Sequence, residues 1–307
     1  MTGRIAVIGS NMVDLVTYVT RMPLKGETLE APSFEIGHGG KGANQAVAAA
    51  RLGAEVMMLT KVGDDMFADN TLKNLESVGI DTRHCGRVAG RSSGVAPIMV
   101  DETGENSILI VKGANNDLLP PDIERAAEDL KRCDLILLQL EVPVETVYAA
   151  IEFGRRHGIK TLLNPAPAVS DLDPERIRHA SFLVPNETEL AILSGLPVEH
   201  EGDIEAAAQS LIAKGVGTVI VTMGARGALL VTAEAASRIA PVAVTPVDTT
   251  GAGDAFIGSF ARYYVESGDL VQALGQAVRY AAHSITRRGT QKAYATEAEF
   301  KEWSAHG

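Results

Sequence analysis

Hydrophobic residues along the chain form short continuous runs separated by segments with helical spacing. The first run, Ile5–Gly9, is apolar throughout and ends in Gly-Ser, which is typical of a strand buried on both faces of a parallel sheet. The next two segments, Val13–Thr20 and Thr28–Ile36, are β-rich and extended, and a turn at 23–26 separates them without a helix. We therefore predict a buried core strand followed by a small β flap.

From residue 41 onward, helical periodicity alternates with short apolar runs. The predicted helices cover Lys41–Leu52, Asp69–Val78, Ile123–Lys131, Val144–His157, Glu187–Ser194, Ile204–Lys214, Gly253–Ser267, Leu270–Arg287 and a final polar helix from Thr296. The predicted strands cover Glu55–Thr60, Leu135–Leu140, Thr161–Asn164, Ser181–Pro185, Thr218–Thr222 and Ala228–Val231, with a hairpin formed by Val95–Val100 and Ser107–Val111 around 101–105. The alternation indicates one α/β domain, residues 1–307, whose mostly parallel sheet is covered on both faces. The small β flap is expected to come from about 12–38 and 92–112.

Composition narrows the classes of function. The 307 residues are 46% hydrophobic and 22% charged, which is globular, and no apolar run is long enough to cross a bilayer. The start, Thr2-Gly3-Arg4, leads into the first strand without a secretory pattern, so we expect a cytoplasmic location. A net charge of −11 argues against a nucleic-acid or membrane partner, and any phosphate site must be made locally. Cys85 and Cys133 are expected to be buried free thiols.

One candidate site lies in Val247–Phe256, where two hydroxyl residues and two glycines precede a helical apolar pattern. A glycine-rich turn that enters a helix leaves backbone N–H groups unpaired and directed at one point, where an anion can bind. Asp254 lies at this point, and a carboxylate beside an anion site suits phosphoryl transfer to a hydroxyl. The same residues also fit an ordinary glycine turn followed by an acidic first helical turn.

A second glycine cluster, Gly37–Ala46, opens the alanine-rich helix and brings Lys41 and Asn44 as donors. It is not a Walker A loop, because Gly42 follows Lys41 where Ser or Thr is required. The other cluster is not a dinucleotide fingerprint, because Phe256 replaces its third glycine. A nicotinamide-dependent oxidoreductase is therefore disfavoured.

Acidic residues follow predicted strands at several places. Asp14 comes soon after the first strand and Glu141 ends the strand at 135–140, where ligands of parallel sheets bind, although such residues also serve as solvated or capping groups. Asn186 and Glu189 have the spacing of a capping box, and Glu189 could also hold a water of hydrated Mg²⁺. The segment 222–227 fits a plain turn between strands.

These segments together resemble the ribokinase branch of the PfkB family of carbohydrate kinases, over nearly the whole chain. Gly39–Ala46 and Asp248–Phe256 look like the two signatures of that family, and Asn164–Ala168 and Pro185–Glu189 match further segments. The resemblance implies a ribokinase-like three-layer α/β sandwich with a lid that commonly also forms a dimer interface, so we expect a homodimer. It also implies ATP-dependent phosphorylation of D-ribose on its 5-hydroxyl.

The resemblance assigns roles residue by residue. Asp254 would be the base, and the backbone amides of Thr250, Gly251, Ala252, Gly253 and Asp254 would form the anion hole. The sugar would be held by Asn11 or Met12 together with Asp14, Gly40, Lys41, Gly42, Asn44 and Glu141. The nucleotide would contact Asn186, Thr222, Met223, Gly224, Ala225, Arg226, Gly227, Gly253 and Val278, with Glu189 acting on Mg²⁺ through water. A K⁺ site would involve Asp248, Thr250, Ser284, Arg287, Gly289 and Ala293, mostly through backbone carbonyls.

Three positions depart from the family pattern. Met12 stands where the family often has Asn, so the contact with a sugar hydroxyl is lost, passes to Asn11, or becomes apolar. Ala293 replaces a common Ser near the cation, and Val278 replaces a polar residue near the adenine. Two alternatives remain: a related kinase for fructose, a keto-deoxy sugar acid or an adenosine-like nucleoside, and a non-catalytic sugar-binding regulator. An intact Asp254 argues against the regulator.

Overall fold

The computed structural model of the chain describes residues 3–102 and 105–306, and the strands in this part form two sheets. The strands are β1 Arg4–Ile8, β2 Met12–Tyr18, β3 Ser33–Gly39, β4 Glu55–Val62, β5 Asp81–Arg87, β6 Val95–Val100, β7 Asn106–Ile108, β8 Leu135–Leu138, β9 Lys160–Leu163, β10 Phe182–Leu183, β11 Val219–Thr222, β12 Ala228–Val231 and β13 Ala236–Ile239. The α-helices are α1 Lys41–Arg51, α2 Met66–Ser77, α3 Pro120–Arg125, α4 Ala127–Leu130, α5 Val144–His157, α6 Pro174–Ile177, α7 Glu187–Ser194, α8 Glu201–Ala213, α9 Ala252–Ser267, α10 Leu270–Ser284 and α11 Glu297–His306. Short 3-10 helices lie at Gly113–Asp117, Gly224–Arg226 and Gln291–Ala293.

The large sheet has nine strands in the order β13-β12-β11-β10-β9-β8-β1-β4-β5. The strands from β11 to β5 are parallel, and β12 and β13 are added antiparallel at one edge. The chain runs outward from β1 to β4 and later returns to β8 on the other side of β1. This reversal between β1 and β8 is a topological switch point, and ligands bind beyond the carboxyl ends of the strands at such a point.

The two faces of the large sheet bury separate hydrophobic cores. Ile5 and Val7 of β1 pack in the core that contains residues of α1, α9 and α10. Ala6 and Ile8 pack in the core that contains residues of α3, α5 and α8. Since successive side chains of a strand point to opposite faces, helices cover both faces, and the predicted three-layer α/β sandwich is confirmed.

The small sheet follows directly from β1 and has the order β3-β2-β6-β7. β2 is antiparallel to β3 and parallel to β6, and its register pairs Met12 with Gly39 and Asp14 with Gly37. The loop tip predicted around 101–105 includes Thr103 and Gly104, which lie outside the described residues. Several large apolar side chains of this sheet and the segment after β7 are about half exposed: Phe34, Ile36, Ile108, Leu109, Ile110 and Val111.

Most predicted elements are present, and the differences have local causes. α2 begins three residues earlier than predicted, because Asp65 caps it and accepts the N–H of Phe67 at 3.2 Å. The helix predicted at 123–131 is divided at Ala126 into α3 and α4. α10 ends at Ser284, three residues before its predicted end, where Thr286 closes the helix by donating its backbone N–H and its hydroxyl to the carbonyl of His283.

The strands at the two edges of the large sheet were not predicted. β5 carries Arg83 and Arg87, which pair with Asp81 and Asp69, and β13 carries Arg238, which pairs with Glu201. Their polar sequences lack the apolar runs of the central strands. No helix in the described ranges has both the length and the apolar character needed to cross a membrane.

Candidate active site

A cleft of about 200 Å³ opens at the carboxyl edge of the large sheet and brings the two glycine clusters together. Lys41 at the start of α1 and Asp254 at the start of α9 both line it. The remaining lining residues are Asn164, Ala166, Val184, Asn186, Glu189, Thr222, Thr249, Gly251, Ala252, Gly253 and Ile257. The cleft therefore joins the predicted anion loop to residues assigned to the nucleotide.

The first turn of α9 has the geometry expected of an anion-binding cradle. Gly251 is its N-cap with φ of 76°, a left-handed conformation that favours glycine. Among the described residues, the backbone N–H groups of Gly253 and Asp254 have no acceptor. A Cβ added at Gly253 would meet no atom within 4 Å, so the backbone here faces open space. Unpaired N–H groups at a helix N-terminus favour an anion.

The loop that precedes α9 is held from three sides. The carboxylate of Asp248 accepts the N–H of Thr250 at 3.0 Å and the N–H of Gly289 at 2.9 Å. The hydroxyl of the buried Tyr294 donates to the carbonyl of Gly251 at 2.9 Å. These contacts fix the cradle before any ligand binds.

Asp254 is buried, and each of its carboxylate oxygens accepts one amide N–H. Asn44 Nδ2 donates to one oxygen at 2.9 Å, and Gln45 Nε2 donates to the other at 3.0 Å. Both amides come from α1, which packs against α9. The carboxylate keeps further lone pairs, so it can also accept the proton of a bound hydroxyl.

Lys41 is the first residue of α1. Its position is fixed because the backbone on either side of it, at Gly40 and Gly42, packs closely against the backbone of residues 10–12. A Cβ at Gly40, whose φ is 86°, would lie 2.7 Å from the backbone N of Met12, and one at Gly42 would lie 2.7 Å from the backbone N and O of Ser10. Asp254 raises the pKa of the Lys41 ammonium against the effect of burial, with further contributions from Glu141 and Glu189. Lys41 therefore remains a cation in the cleft.

Glu141, in the loop that follows β8, caps the N-terminus of α1. Its Oε2 accepts the hydroxyl of Ser10 at 2.5 Å and the backbone N–H of Lys41 at 2.8 Å. A carboxylate at this end of a helix is favoured by the unpaired N–H groups. Glu141 is therefore a structural cap, and its other oxygen remains available to a ligand.

Asp14 on β2 is the third carboxylate of this group. A Cβ at Gly39 would lie 2.2 Å from Asp14 Oδ1, so the carboxylate rests on the backbone of β3. Burial, followed by the charges of Glu141 and Asp254, raises the pKa of Asp14 to about 6. No side-chain or backbone donor among the described residues contacts this carboxylate.

Met12 and Asp14 lie two positions apart on β2 and therefore share a face of the strand. Met12 is 3% exposed, yet it is part of neither of the two core clusters among the described residues. Asn11 Nδ2 donates to Thr60 Oγ1 at 2.8 Å and to the carbonyl of Lys61 at 2.7 Å, while Asn11 Oδ1 is buried and has no partner in the ranges that the structure describes. Asn11 therefore has no free amide donor for a sugar.

On the nucleotide side, the predicted capping box is present. Asn186 accepts the N–H of Glu189, while Glu189 accepts the backbone N–H of Asn186 at 2.8 Å and its Nδ2 at 3.0 Å. Burial raises the pKa of Glu189, and the Asn186 backbone and Lys41 oppose this effect. Thr222 lies beside Asn186 through a parallel bridge, so both reach the cleft.

Gly253 also lines the cleft, whereas the remaining residues assigned to the nucleotide are not part of its lining. Gly224, Ala225 and Arg226 form the 3-10 turn between β11 and β12, and Arg226 pairs with Glu187 at the start of α7. Met223 and Val278 are buried, with Val278 in the core on the α10 side. Gly227 ends the turn with φ of 84°.

Of the residues assigned to a cation, some are hydrogen-bonded to Asp248 and others are not. Gly289 and Thr250 both bond to Asp248, and the N–H groups of Val247 and Asp248 bond to the carbonyl of Ile285. The Ser284 hydroxyl donates within α10 to the carbonyl of Ala281, Arg287 is half exposed near Glu299, and Ala293 is buried in the last 3-10 helix. A carboxylate and backbone carbonyls are oxygen donors that suit a hard cation.

Several residues of the site have roles that the sequence did not reveal. They are Ser10, Gln45, Asn74, Gln139, Gln291 and Tyr294. The available signal was weak: Gln45 interrupts an alanine-rich helix and Gln139 follows a run of four apolar residues. Such buried amides need partners, but a sequence does not say which.

The chain is similar to known proteins along its whole length. The sequence profile described as pfkB family carbohydrate kinase matches residues 2–297. The deoxyribokinase of Salmonella typhi is 60% identical over 97% of this chain and 98% of its own length. The ribokinase of Bacillus subtilis is 41% identical over 97% of this chain and 98% of its own length. The structure of Arabidopsis thaliana ribokinase complexed with ribose and ATP has a TM-score of 0.91 at 28% identity, over 98% of both chains.

Proposed function

This chain belongs to the pfkB family of carbohydrate kinases, and from that premise we propose that it transfers the γ-phosphoryl group of ATP to the 5-hydroxyl of an aldopentose. As a member of this family it is a sugar kinase, and the identity of the sugar is the proposal. The observation that carries it is the position of Asp254, a buried carboxylate at the mouth of an anion cradle.

In the proposed reaction, Asp254 accepts the proton of the 5-hydroxyl as the sugar oxygen attacks the γ-phosphorus. A new O–P bond forms, the bond to the bridging oxygen of ATP breaks, and ADP leaves with that electron pair. The free N–H groups of Gly253 and Asp254 face the phosphoryl oxygens, and Lys41 supplies positive charge. Phosphoryl transfer needs mainly positioning and charge stabilisation, which these groups provide.

The remaining sugar hydroxyls are proposed to bind the acidic group formed by Asp14 and Glu141 together with the side chain of Asn44. Asn44 uses one N–H on Asp254 and keeps the other. Asp14 accepts no hydrogen bond from the residues that the structure describes, so an ionised Asp14 can accept two hydroxyls of a diol. Close backbone approaches at Gly40 and Gly42 hold the start of α1 against residues 9–12.

We propose 2-deoxy-D-ribose as the preferred sugar. Met12 shares a strand face with Asp14 and cannot donate or strongly accept a hydrogen bond, and the amide nitrogen of Asn11 is already engaged. An apolar contact suits a CH₂ group better than a hydroxyl, which would be left unpaired. The relatives that are 60% identical carry the name deoxyribokinase, which supports the same choice.

D-Ribose is the second candidate. Relatives named ribokinase are about 40% identical, and the retained Asp14, Lys41, Asn44 and Glu141 match the pattern on which the sequence prediction was based. The two sugars differ at one hydroxyl, so a preference between them is a difference in kcat/KM and does not require exclusion of either.

The nucleotide is proposed to lie along Asn186 and the 222–227 turn, with Val278 near the base. The described residues hold no group of three or more His, Cys, Asp or Glu side chains arranged as a metal site. Mg²⁺ would therefore enter with ATP, where it neutralises phosphate charge. Glu189 suits an indirect role, because it lines the cleft as an acceptor that can bind a water of the hydrated ion.

A K⁺ ion is proposed beneath the anion loop, held by Asp248 and by the backbone around Thr250, Ser284, Arg287, Gly289 and Ala293. The two N–H groups that Asp248 accepts hold its pKa low despite burial, so its carboxylate is ionised. Such an ion would shape the loop without touching the sugar. We expect higher rates in K⁺ than in Na⁺ buffer, and equal rates would remove this site.

The small sheet is proposed to act as the lid over the sugar and to pair with the small sheet of a second copy. Exposed apolar side chains of this sheet and of the segment after β7, such as Phe34, Ile36 and Leu109, support this arrangement, because exposed apolar surface can mark an interface. Sedimentation at several concentrations tests the dimer. A cytoplasmic location, where ATP is available, remains part of the proposal.

An assay of ADP release over a panel of acceptors tests the function. The panel contains 2-deoxy-D-ribose, D-ribose, D-fructose, a keto-deoxy sugar acid and adenosine. The proposal expects the highest kcat/KM for 2-deoxy-D-ribose, followed by D-ribose, with a product phosphorylated at the 5-position. A higher value for fructose, the sugar acid or the nucleoside would overturn the proposed substrate, and ATP binding without turnover of any acceptor would favour a regulator.

A further inference from the structure

A line of side-chain amides leads to Asp254 from both sides. On one side, Asn74 Nδ2 donates to Gln291 Oε1 at 2.8 Å, and Gln291 Nε2 donates to Asn44 Oδ1 at 2.9 Å. Asn44 then donates to Asp254. On the other side, Gln139 Nε2 donates to Gln45 Oε1 at 2.6 Å, and Gln45 donates to Asp254. Every amide in this line donates toward the carboxylate.

The direction of these bonds follows from the chemistry of Asp254. An ionised carboxylate only accepts, so Asn44 and Gln45 must turn their NH₂ groups toward it. Their carbonyl oxygens then face away and need donors of their own, which Gln291 and Gln139 supply. Asp254 therefore sets the orientation of each inner amide, and the outer amide stabilises it.

Burial makes this orientation hard to reverse. Gln45 and Gln139 are fully buried, and Asn44 and Gln291 are 6% exposed. Water therefore cannot easily replace a missing partner, and an unpaired polar group in such a place is unfavourable. Gln139 illustrates this preference, because its Oε1 has no partner within the described part of the chain, and a Cβ on the neighbouring Gly9 would lie 2.1 Å from that oxygen. Its NH₂ group is still directed at Gln45.

We propose that Gln291 and Gln139 are positioning residues that keep an amide donor of Asn44 and of Gln45 on the two oxygens of Asp254. The inference rests on the proposed role of Asp254 as base. Gln45 uses its second N–H on Asn164 Oδ1 at 3.3 Å, whereas the second N–H of Asn44 is left for the substrate. Gln291 therefore acts on the reaction twice, by holding the base and by presenting Asn44 to the sugar.

The variant Gln291→Glu tests the direction of the line with almost no change of shape. A carboxylate at 291 accepts only, so Asn44 must turn its NH₂ group toward residue 291 and its oxygen toward Asp254. We expect kcat to fall about 10- to 100-fold, since one charge-assisted bond is replaced by repulsion. KM for ATP should change less than about twofold, because the residues assigned to the nucleotide lie elsewhere.

Gln291→Leu separates direction from packing. Leucine removes the donor but does not force Asn44 to turn, so we expect a smaller loss of kcat than with Glu. A role in packing alone predicts the opposite order, because an apolar group leaves Asn44 and Asn74 without a partner. Gln272→Glu, on the exposed side of α10, makes the same chemical change away from the cleft and should keep wild-type kinetics.

The outcomes separate this inference from the proposed function. A full-activity Gln291→Glu enzyme, or a larger loss with Leu than with Glu, overturns the inference while the kinase assignment stands. Wild-type protein that phosphorylates no aldopentose overturns both. If Gln291→Glu does not fold, a loss of kcat in Gln291→Leu at constant KM for ATP supports the inference, and unchanged kcat overturns it.

Discussion

The proposed transfer side and the proposed sugar side of the cleft differ in how completely their carboxylates are paired before a ligand binds. On the transfer side, Asp254 accepts two amides, Asp248 accepts two backbone N–H groups, and the carbonyl of Gly251 accepts the hydroxyl of Tyr294. On the sugar side, Asp14 is buried beside two other carboxylates without a donor among the described residues.

With the roles proposed for these residues, the groups that take part in phosphoryl transfer are already held in place, and recognition is completed when the sugar binds. A pKa that rises from 3.8 to about 6 makes ionised Asp14 unfavourable in the folded protein by about 3 kcal/mol, at about 1.4 kcal/mol for each pH unit. Sugar hydroxyls that donate to this carboxylate would remove part of that penalty. Sugar binding would therefore relieve an unfavourable buried charge at Asp14.

The strongest test of the transfer side is Asp254→Asn. We expect kcat to fall about 1,000-fold or more, because general-base catalysis typically contributes two to four powers of ten. Binding of ATP and sugar, measured by calorimetry, should remain near wild type. Turnover within tenfold of the wild-type value would remove Asp254 from the mechanism and end the contrast between the two sides.

The matching test of the sugar side is Asp14→Asn, with a smaller kinetic effect. We expect KM for the sugar to rise about 10- to 100-fold, because hydrogen bonds to a charged group are lost. The same substitution should stabilise the fold at pH 8, where wild-type Asp14 is ionised against its raised pKa. The measurement is the free energy of unfolding in urea at pH 8 and near pH 4.

The sign of this pH effect follows from the raised pKa. Below pH 3.8 Asp14 is protonated in both folded and unfolded chains and carries no penalty. As the pH rises to about 6, the unfolded chain ionises first, so stability is lost across this interval and remains lost above it. If Asp14→Asn stabilised the fold equally at both pH values, the stabilisation would not come from the ionisation of Asp14.

The smallest expected effect is a change of sugar preference by Met12→Asn. An amide at this position can pair with a hydroxyl, so the kcat/KM ratio of D-ribose to 2-deoxy-D-ribose should rise about tenfold. kcat for the better sugar should change little, because the transfer side is not touched. Met12→Leu is the control and should keep the wild-type ratio, and an unchanged ratio in Met12→Asn would remove Met12 from sugar selection.

Local sequence determined the fold better than the site. The bounds of α5 and α7 agree with the prediction, since amphipathic spacing and end signals such as Gly158 and Asn186 act within a few residues. β5 and β13 were missed because edge strands with polar sequences lack an apolar pattern. The glycine clusters were found because their motifs are contiguous in sequence.

The amides behind Asp254 could not be found in the same way. Gln291 and Asn44 are separated by 247 positions, and Gln45 and Asp254 by 209, so only the folded chain brings them together. A glutamine is also unremarkable in a helix or loop, and its partners decide whether it has a role. Tyr294 is a similar case, because its hydroxyl becomes informative only when it meets Gly251.

The charged edges of the large sheet bear on how the protein avoids aggregation. An open edge strand offers unpaired backbone groups on which another chain can add a strand. In the described part of the chain, β5 presents Arg83 and Arg87 and β13 presents Arg238, and charged side chains at an edge disfavour such addition. The addition of strands from other chains is thereby disfavoured at both edges of the nine-stranded sheet.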